Sequence, residues 1–257
     1  MKVVIVLTYY DRQYQLQRTL RSFCKTDHDD FEVIIIDDCS PDSPDIGIHN
    51  FPIEVYRTKN KNWIDGSPAY NLGFLHALEK NPDVIIIQNA ESYHYGDVIS
   101  YATTVTDETY ISFGCYNLSR EWTFREHDLS WIVANYNNHA VDNEQNAWLN
   151  HKTIRPVGYH WCSAIAAKNI RILNGFDERF SDGYCFEDDE LLARIRKLGL
   201  KIEITDTPFV VHQWHDRNYV PANWQELFDI NRLLCEQVQQ SDQVIAIHKY
   251  TKNFRGV

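Results

Sequence analysis

The 257-residue chain lacks several features that would restrict its function at a glance. Its six cysteines, Cys24, Cys39, Cys115, Cys162, Cys185 and Cys235, include no CxxC pair, so neither a zinc site nor a disulfide framework is expected and reduced thiols are the default. No run approaches the ~20 apolar residues that a membrane helix needs. The opening run Met1 to Leu7 is too short for a signal peptide and has no small-residue cleavage site, so it is expected to be a strand of a soluble, cytoplasmic protein. Basic residues are not in excess: a formal net charge of -11 argues against the basic face of a general nucleic-acid binder. Glycine-rich phosphate loops are missing as well. Neither GxGxxG nor a Walker motif follows the first strand, which disfavours a nicotinamide dehydrogenase and means that any bound nucleotide needs another device for its phosphates.

What the chain has instead is a set of apolar strands with polar ends. Val84-Ile85-Ile86-Ile87 runs into Gln88-Asn89-Ala90-Glu91, Val3 to Leu7 runs into Thr8, and Val33 to Ile36 runs into Asp37-Asp38. Continuous apolar runs of this length predict strands buried on both faces. In open parallel sheets ligands bind beyond the carboxyl ends of the strands, so these polar ends are the first candidates for a site. Between the strands, Leu16, Leu20 and Phe23, then Leu72, Leu75, His76 and Leu78, have helical spacing, and a short strand is expected near Ile53 to Tyr56. The alternation predicts an α/β fold with right-handed crossovers in a mostly parallel sheet. Further strands are expected near Tyr110 to Phe113, at Ile202 to Ile204 and at Phe209 to Val211, and a helix from about Asn223 to Gln239 with Trp224, Leu227, Phe228, Leu233 and Leu234 facing inward. Nothing in the segment after Ser241 specifies an element.

Three stretches carry candidate chemistry. The segment with Trp122, Trp131, Tyr136 and Trp148 among Asn and His residues offers aromatic faces on which a sugar ring could stack, although each ring singly is better explained by packing. From Glu187 to Gly199, four acids open a helix, bases close it and a glycine follows, as the helix dipole and a glycine cap favour. At ~100° per residue, Asp188 falls on the stripe of Leu191, Leu192, Ile195 and Leu198, where a desolvated carboxylate has the raised pKa of a useful base. Glu190 is expected to pair with Arg194 on the solvent face. Finally, His212 and His215 stand at a strand end, where neutral imidazoles bind metals.

Taken in order, these pieces resemble the family 2 glycosyltransferases of GT-A fold, nucleotide-sugar enzymes that mostly invert the anomeric centre. The resemblance rests on Thr8-Tyr9-Tyr10-Asp11-Arg12, Ile36-Asp37-Asp38-Cys39-Ser40, Asn71-Leu72-Gly73, Asn89-Ala90-Glu91 where the family has Asp-x-Asp, Gly175-Phe176-Asp177-Glu178, and Glu187-Asp188. It implies a single Rossmann-like GT-A domain over 1–215, with a nucleotide-binding half at 1–97 and an acceptor-binding and catalytic half at 98–215, followed by a C-terminal helix and tail at 216–257. It further implies that Thr8, Tyr10, Arg12, Asp38, Asn71 and Asn89 bind a UDP- or GDP-linked donor. Glu91 and His212, and less readily His215, would ligate Mn²⁺ or Mg²⁺. Trp161 and Glu187 would meet a glycan or other acceptor, and Asp188 would be the general base. Asn89 departs from the family's Asp and removes one negative charge from that metal site. The segment before Asn71 likewise lacks the Arg that many relatives carry. A catalytically silent nucleotide- or glycan-binding relative is the competing expectation.

Overall fold

The computed structural model describes residues 1–125, 147–216, 220–252 and 254. Nine strands form one mixed sheet: β1 (Val3–Tyr9), β2 (Phe31–Asp37), β3 (Ile53–Arg57), β4 (Val84–Asn89), β5 (Ser92–Tyr95), β6 (Thr109–Asn117), β7 (Ala147–Asn150), β8 (Cys162–Ala166) and β9 (Lys201–His212). Their order is β3-β2-β1-β4-β8-β6-β9-β5, with β7 beside β6. Strands β3, β2, β1 and β4 are parallel, and β8 joins antiparallel to β4. Helices among the described residues are α1 (Gln13–Phe23), α2 (Ser67–Glu79), α3 (Val98–Ala102), α4 (Arg120–Thr123), α5 (Ala167–Leu173), α6 (Glu187–Lys197) and α7 (Trp224–Gln240), with a 3₁₀ turn at Glu178–Asp182.

The apolar runs are apolar throughout because both faces of the sheet are covered. Val3, Ile5, Leu7, Val33, Ile35, Val84 and Ile86 pack under Leu16, Leu20 and Phe23 of α1. Their alternates Val4, Val6, Ile34, Ile36, Ile85 and Ile87 pack against Phe74, Ala77 and Leu78 of α2 and against Phe176. Helix α2 lies very close to the sheet at Gly73, where a Cβ would stand 2.4 Å from Val6 Cγ1. Only glycine allows that approach.

Three sequence expectations change here. Ile202 to Ile204 and Phe209 to Val211 are one strand, β9, whose pairing with β6 shifts register between Phe113 and Gly114. On α7, Trp224 and Leu233 are 43% and 51% exposed, whereas Leu234 packs against Phe180 and Phe228 on Phe186, and the most buried positions are Asn231, Cys235 and Val238. A polar Asn on the buried face hides the stripe from a hydrophobicity count. Glu190 and Arg194 do pair, but both are wholly buried: Arg194 Nε and Nη2 lie 2.5 and 2.8 Å from the Glu190 carboxylate, and Nη1 donates to the Leu173 carbonyl. The end of α5 covers, through the Leu173 carbonyl, what spacing alone assigned to solvent.

Candidate active site

Register brings the polar strand ends into one row. Thr8 of β1 faces Asn89 of β4, and Tyr9 faces Asp37 of β2. Just past them a cleft of about 310 Å³ is lined by Thr8, Tyr10, Arg12, Asp38, Asn89, Glu91, Trp161, Glu187, His212 and His215, all expected from sequence. Asn71 does not reach it. That side chain is fully buried, donating to Phe176 O and Glu178 Oε1 and accepting from Phe176 N, so it staples α2 to the Gly175-Phe176 turn. Gly175 has φ of 71°, and a Cβ there would stand 2.2 Å from Asn71 Oδ1. Trp148 is 1% exposed and packs edge-on against Tyr116 and Phe209, so it is core. Trp131 and Tyr136 lie outside the described residues.

At one end of the cleft, Glu91 is 1% exposed and is met by Arg12 Nη1 at 2.7 Å on Oε2 and by His212 and His215 Nε2 at 3.4 and 3.5 Å from Oε1. Burial pushes the Glu91 carboxyl up, but the Arg12 guanidinium and the two imidazoles outweigh it and hold the group well below the usual carboxylate range. The histidines arrive equally. His212 ends β9 in register with Asn117, whose amide oxygen lies 3.1 Å from His212 Nδ1, and His215 Nδ1 lies 3.0 Å from the Asp216 carbonyl. Both Nδ1 atoms therefore serve as donors, as assigned from these acceptors, and both Nε2 atoms turn toward the Glu91 carboxylate. Burial lowers His215 to about 4, so it is neutral near pH 7. The three ligand atoms lie within 4.8 Å of one another, close enough for a single ion to be held among them. The donor set fits a divalent ion.

Asn89 bridges this cluster to α2. Its amide oxygen accepts from the Tyr70 hydroxyl at 2.7 Å and its amide nitrogen donates to Glu91 Oε1 at 3.3 Å. On the opposite wall, Asp38 accepts from Trp63 Nε1 at 3.0 Å and is paired with Lys61 at 2.7 Å, while burial still pushes its carboxyl up. Lys61 also lies over the Tyr10 ring.

Asp188 sits at the second position of α6, one residue behind the cleft wall. Its Oδ1 accepts from His160 N at 2.9 Å and from His160 Nδ1 at 2.6 Å, and the His160 ring is held edge-on by Tyr70 and Phe176. The turn before α6 is strained, since Cys185 and Phe186 have φ of 64° and 74° without being glycine. Helix α7 holds it there: Asn231 Nδ2 donates to the Cys185 carbonyl and the Phe186 ring packs on Phe228.

Lys61, Ile64, Asp65, Tyr70, Tyr184 and Cys185 also line the cleft and were not anticipated. A signal existed for the first three: the polar stretch from Lys59 to Asp65 follows the carboxyl end of β3, where ligand loops belong.

A mixed sheet of this order with a polar cleft at its strand ends is that of the GT-A fold. The model of Glycosyl transferase family 2 matches residues 4–162, more than half of the chain, and the chain belongs to that family. Residues 162–216 match a second model, the N-terminal domain of galactosyltransferase. Among solved structures, Staphylococcus aureus TarS 1-349 in complex with UDP-GlcNAc is similar at a TM-score of 0.60 and 12% identity, over 93% of this chain and 70% of that one. The mannosyltransferase PcManGT from Pyrobaculum calidifontis, in complex with GDP-Man and Mn²⁺, is similar at 0.55 and 13%, over 93% of this chain and 62% of that one. The chain spans 39% of the longer S. aureus TarS structure, at a TM-score of 0.57 and 13% identity. No curated protein matches it.

Proposed function

We propose that the protein transfers a sugar from a nucleoside-diphosphate donor, UDP- or GDP-linked as in the similar complexes, to a hydroxyl of a glycan or other acceptor, with inversion and with divalent-metal assistance. The observation that carries this reading is the Glu91, His212 and His215 cluster opening into the same cleft as Asp38 and Thr8. Glu91, His212 and His215 would hold the ion, and two imidazoles beside one carboxylate favour Mn²⁺ over Mg²⁺. When bound, the ion supplies positive charge against the leaving diphosphate. Asp38, Thr8 and the ring of Tyr10 form the wall for the nucleoside, in the half of the chain assigned to nucleotide binding. Trp161 and Glu187 face the acceptor.

Asp188 is the base. His160 fixes one of its carboxylate oxygens and leaves the other for an acceptor hydroxyl, as an orienting partner does in other acid–base pairs. The acceptor oxygen forms its bond to the anomeric carbon as the bond from that carbon to the diphosphate oxygen breaks, and the acceptor proton passes to Asp188. Attack from the face opposite the leaving group inverts the centre.

A nucleotide-sugar panel with Mn²⁺ tests the reading through slow donor hydrolysis, which needs no acceptor. Once a donor is identified, Asp188→Asn is expected to lower transfer by ~10²–10⁴-fold while nucleoside-diphosphate affinity is kept. Transfer at the wild-type rate would sink the assignment of the base. Binding without turnover across the panel would favour a silent relative instead.

A further inference from the structure

Strand β9 pairs with β6 from Lys201 to His212, but β5 borders its other side only at Phe209–His212. The chain leaves β5 at Gly96, whose φ is 81° and where a Cβ would stand 3.0 Å from Pro208 Cβ, and Pro208 has no N–H to offer a neighbour. Lys201 to Thr207 is therefore an open sheet edge among the described residues. A groove of about 790 Å³ runs beside it, walled by Tyr101 of α3, by Pro156 and Val157, and by Arg196 of α6. Lys201 donates its backbone N–H to the Glu108 carbonyl at 2.8 Å, on the β6 side. Backbone groups alternate along a strand, so those of Lys201, Glu203 and Thr205 serve β6, and those of Ile202 and Ile204 point to the open side. Edges are commonly blunted by proline, a bulge or unanswered charge. From Lys201 to Thr205 there is no proline or glycine, and three of the five residues are β-branched. The one lysine is answered on the same face by Glu203, whose carboxylate lies 2.7 Å from Lys201 Nζ.

We infer that this edge is the pairing surface for a second copy of the chain, joined antiparallel about a two-fold axis at Ile202. Charge selects both the occupant and the register. In an antiparallel pair, facing residues either both turn their backbone groups toward the other strand or both turn them away, so a two-fold axis must pass through a residue. With the axis at Ile202, that residue exchanges two backbone hydrogen bonds with its own copy, and Lys201 of each copy stands opposite Glu203 of the other. Opposite charges directly across a strand pair attract, and the symmetry makes the contact twice. With the axis at Lys201 or at Glu203, like charges face each other. With the axis at Ile204, Lys201 and Glu203 face Thr207 and Thr205, and the charges contribute nothing across the pair. A strand of one charge sign would repel its own copy, and an uncharged one would set no register; Lys-Ile-Glu avoids both. Pairing in this way continues the sheet across two copies. The surface lies apart from the cleft and does not depend on the transferase reading.

Sedimentation equilibrium of the whole chain at micromolar concentrations tests it, with wild type beside Lys201→Glu, Glu203→Lys and the double variant. Wild type is expected to dimerise. Lys201→Glu sets carboxylate against carboxylate twice, and Glu203→Lys sets ammonium against ammonium twice, so each alone should weaken the dimer by ~10-fold or more. The double variant exchanges the two charges and should restore the wild-type affinity. An equimolar mixture of the two single variants should form the mixed dimer, since every facing pair is then opposite in sign. Both side chains are exposed, so the substitutions leave the core untouched, and melting temperatures equal to wild type check that each variant is folded. A wild-type chain that stays monomeric overturns the inference and leaves the edge to some other occupant. A dimer that neither single variant weakens also overturns it, because another surface then holds the copies together. A double variant no tighter than the singles overturns the register at Ile202.

Discussion

Asn89 shows how much one atom can matter beside Glu91. As an amide it accepts from Tyr70 and donates to Glu91 at once, so it orders a buried carboxylate without adding charge. An aspartate in its place would keep the first bond and replace the second by repulsion. Asn89→Asp is therefore expected to tighten Mn²⁺ binding by about 10-fold in the presence of nucleoside diphosphate, because the added charge faces a cation. The same change should lower the melting temperature of the metal-free protein and restore it when Mn²⁺ is added. Calorimetry and melting curves with and without Mn²⁺ check both; a metal affinity equal to wild type would mean that residue 89 does not face the ion.

At the scale of elements, the strands were legible and the late helices only in part. Val84 to Ile87 could be read as a doubly buried strand because nothing polar interrupts it, and the covered faces confirm the cause. The polar ends were legible for the same reason, since a fold of this class leaves them only one place to go. Glu190 and Arg194 were misplaced because i,i+4 spacing states that two side chains meet, not where. Their environment is decided by α5, through the Leu173 carbonyl, which no local pattern reports. His215 reaches Glu91 as His212 does, although β9 ends at residue 212 and the backbone beyond it follows no period that would place it. The buried pair carries its own prediction. Arg194→Met leaves Glu190 without its cation in a site where burial already pushes the carboxyl up, and should cost about 3–5 kcal/mol. Adding Glu190→Leu should recover most of that loss in urea unfolding. Recovery of none would mean that the Leu173 contact, not the ion pair, carries the cost.

For the whole molecule, the segment after α7 is a strap across the back of the cleft loop. Glu178 accepts the backbone N–H groups of Lys249 at 2.6 Å and Thr251 at 3.1 Å as well as that of Tyr250, and it takes Asn71 on its other oxygen. Phe254 packs edge-on against Phe74, and the Tyr250 ring lies 5.4 Å from that of Trp63, the residue that donates to Asp38. Burial raises Glu178, but Asn71, Thr251 and these amides more than offset it and hold its pKa below the usual value. Its stabilisation is thus fully present above the unfolded value near ~4.3 and is lost as pH falls through the lower folded value. Hydrogen exchange is expected to show amides 249–251 released in acid before those of β1 and β4, and Glu178→Gln should release them already at neutral pH. Simultaneous release of strap and sheet would show that the strap is not a separate unit.

That strap also sets a timetable. Tyr250 meets the loop at Asn62 across 188 residues of sequence, so during synthesis the wall that bears Lys61, Trp63 and Asp65, tied to the Ser181 carbonyl through Ile64 N and Asp65 N, lacks this second brace until residue 250 has been made. At 5–20 residues per second the delay is roughly ten to forty seconds. Ribosome-bound chains that already contain every cleft residue would carry the sheet, but not yet the Tyr250 brace on the cleft wall.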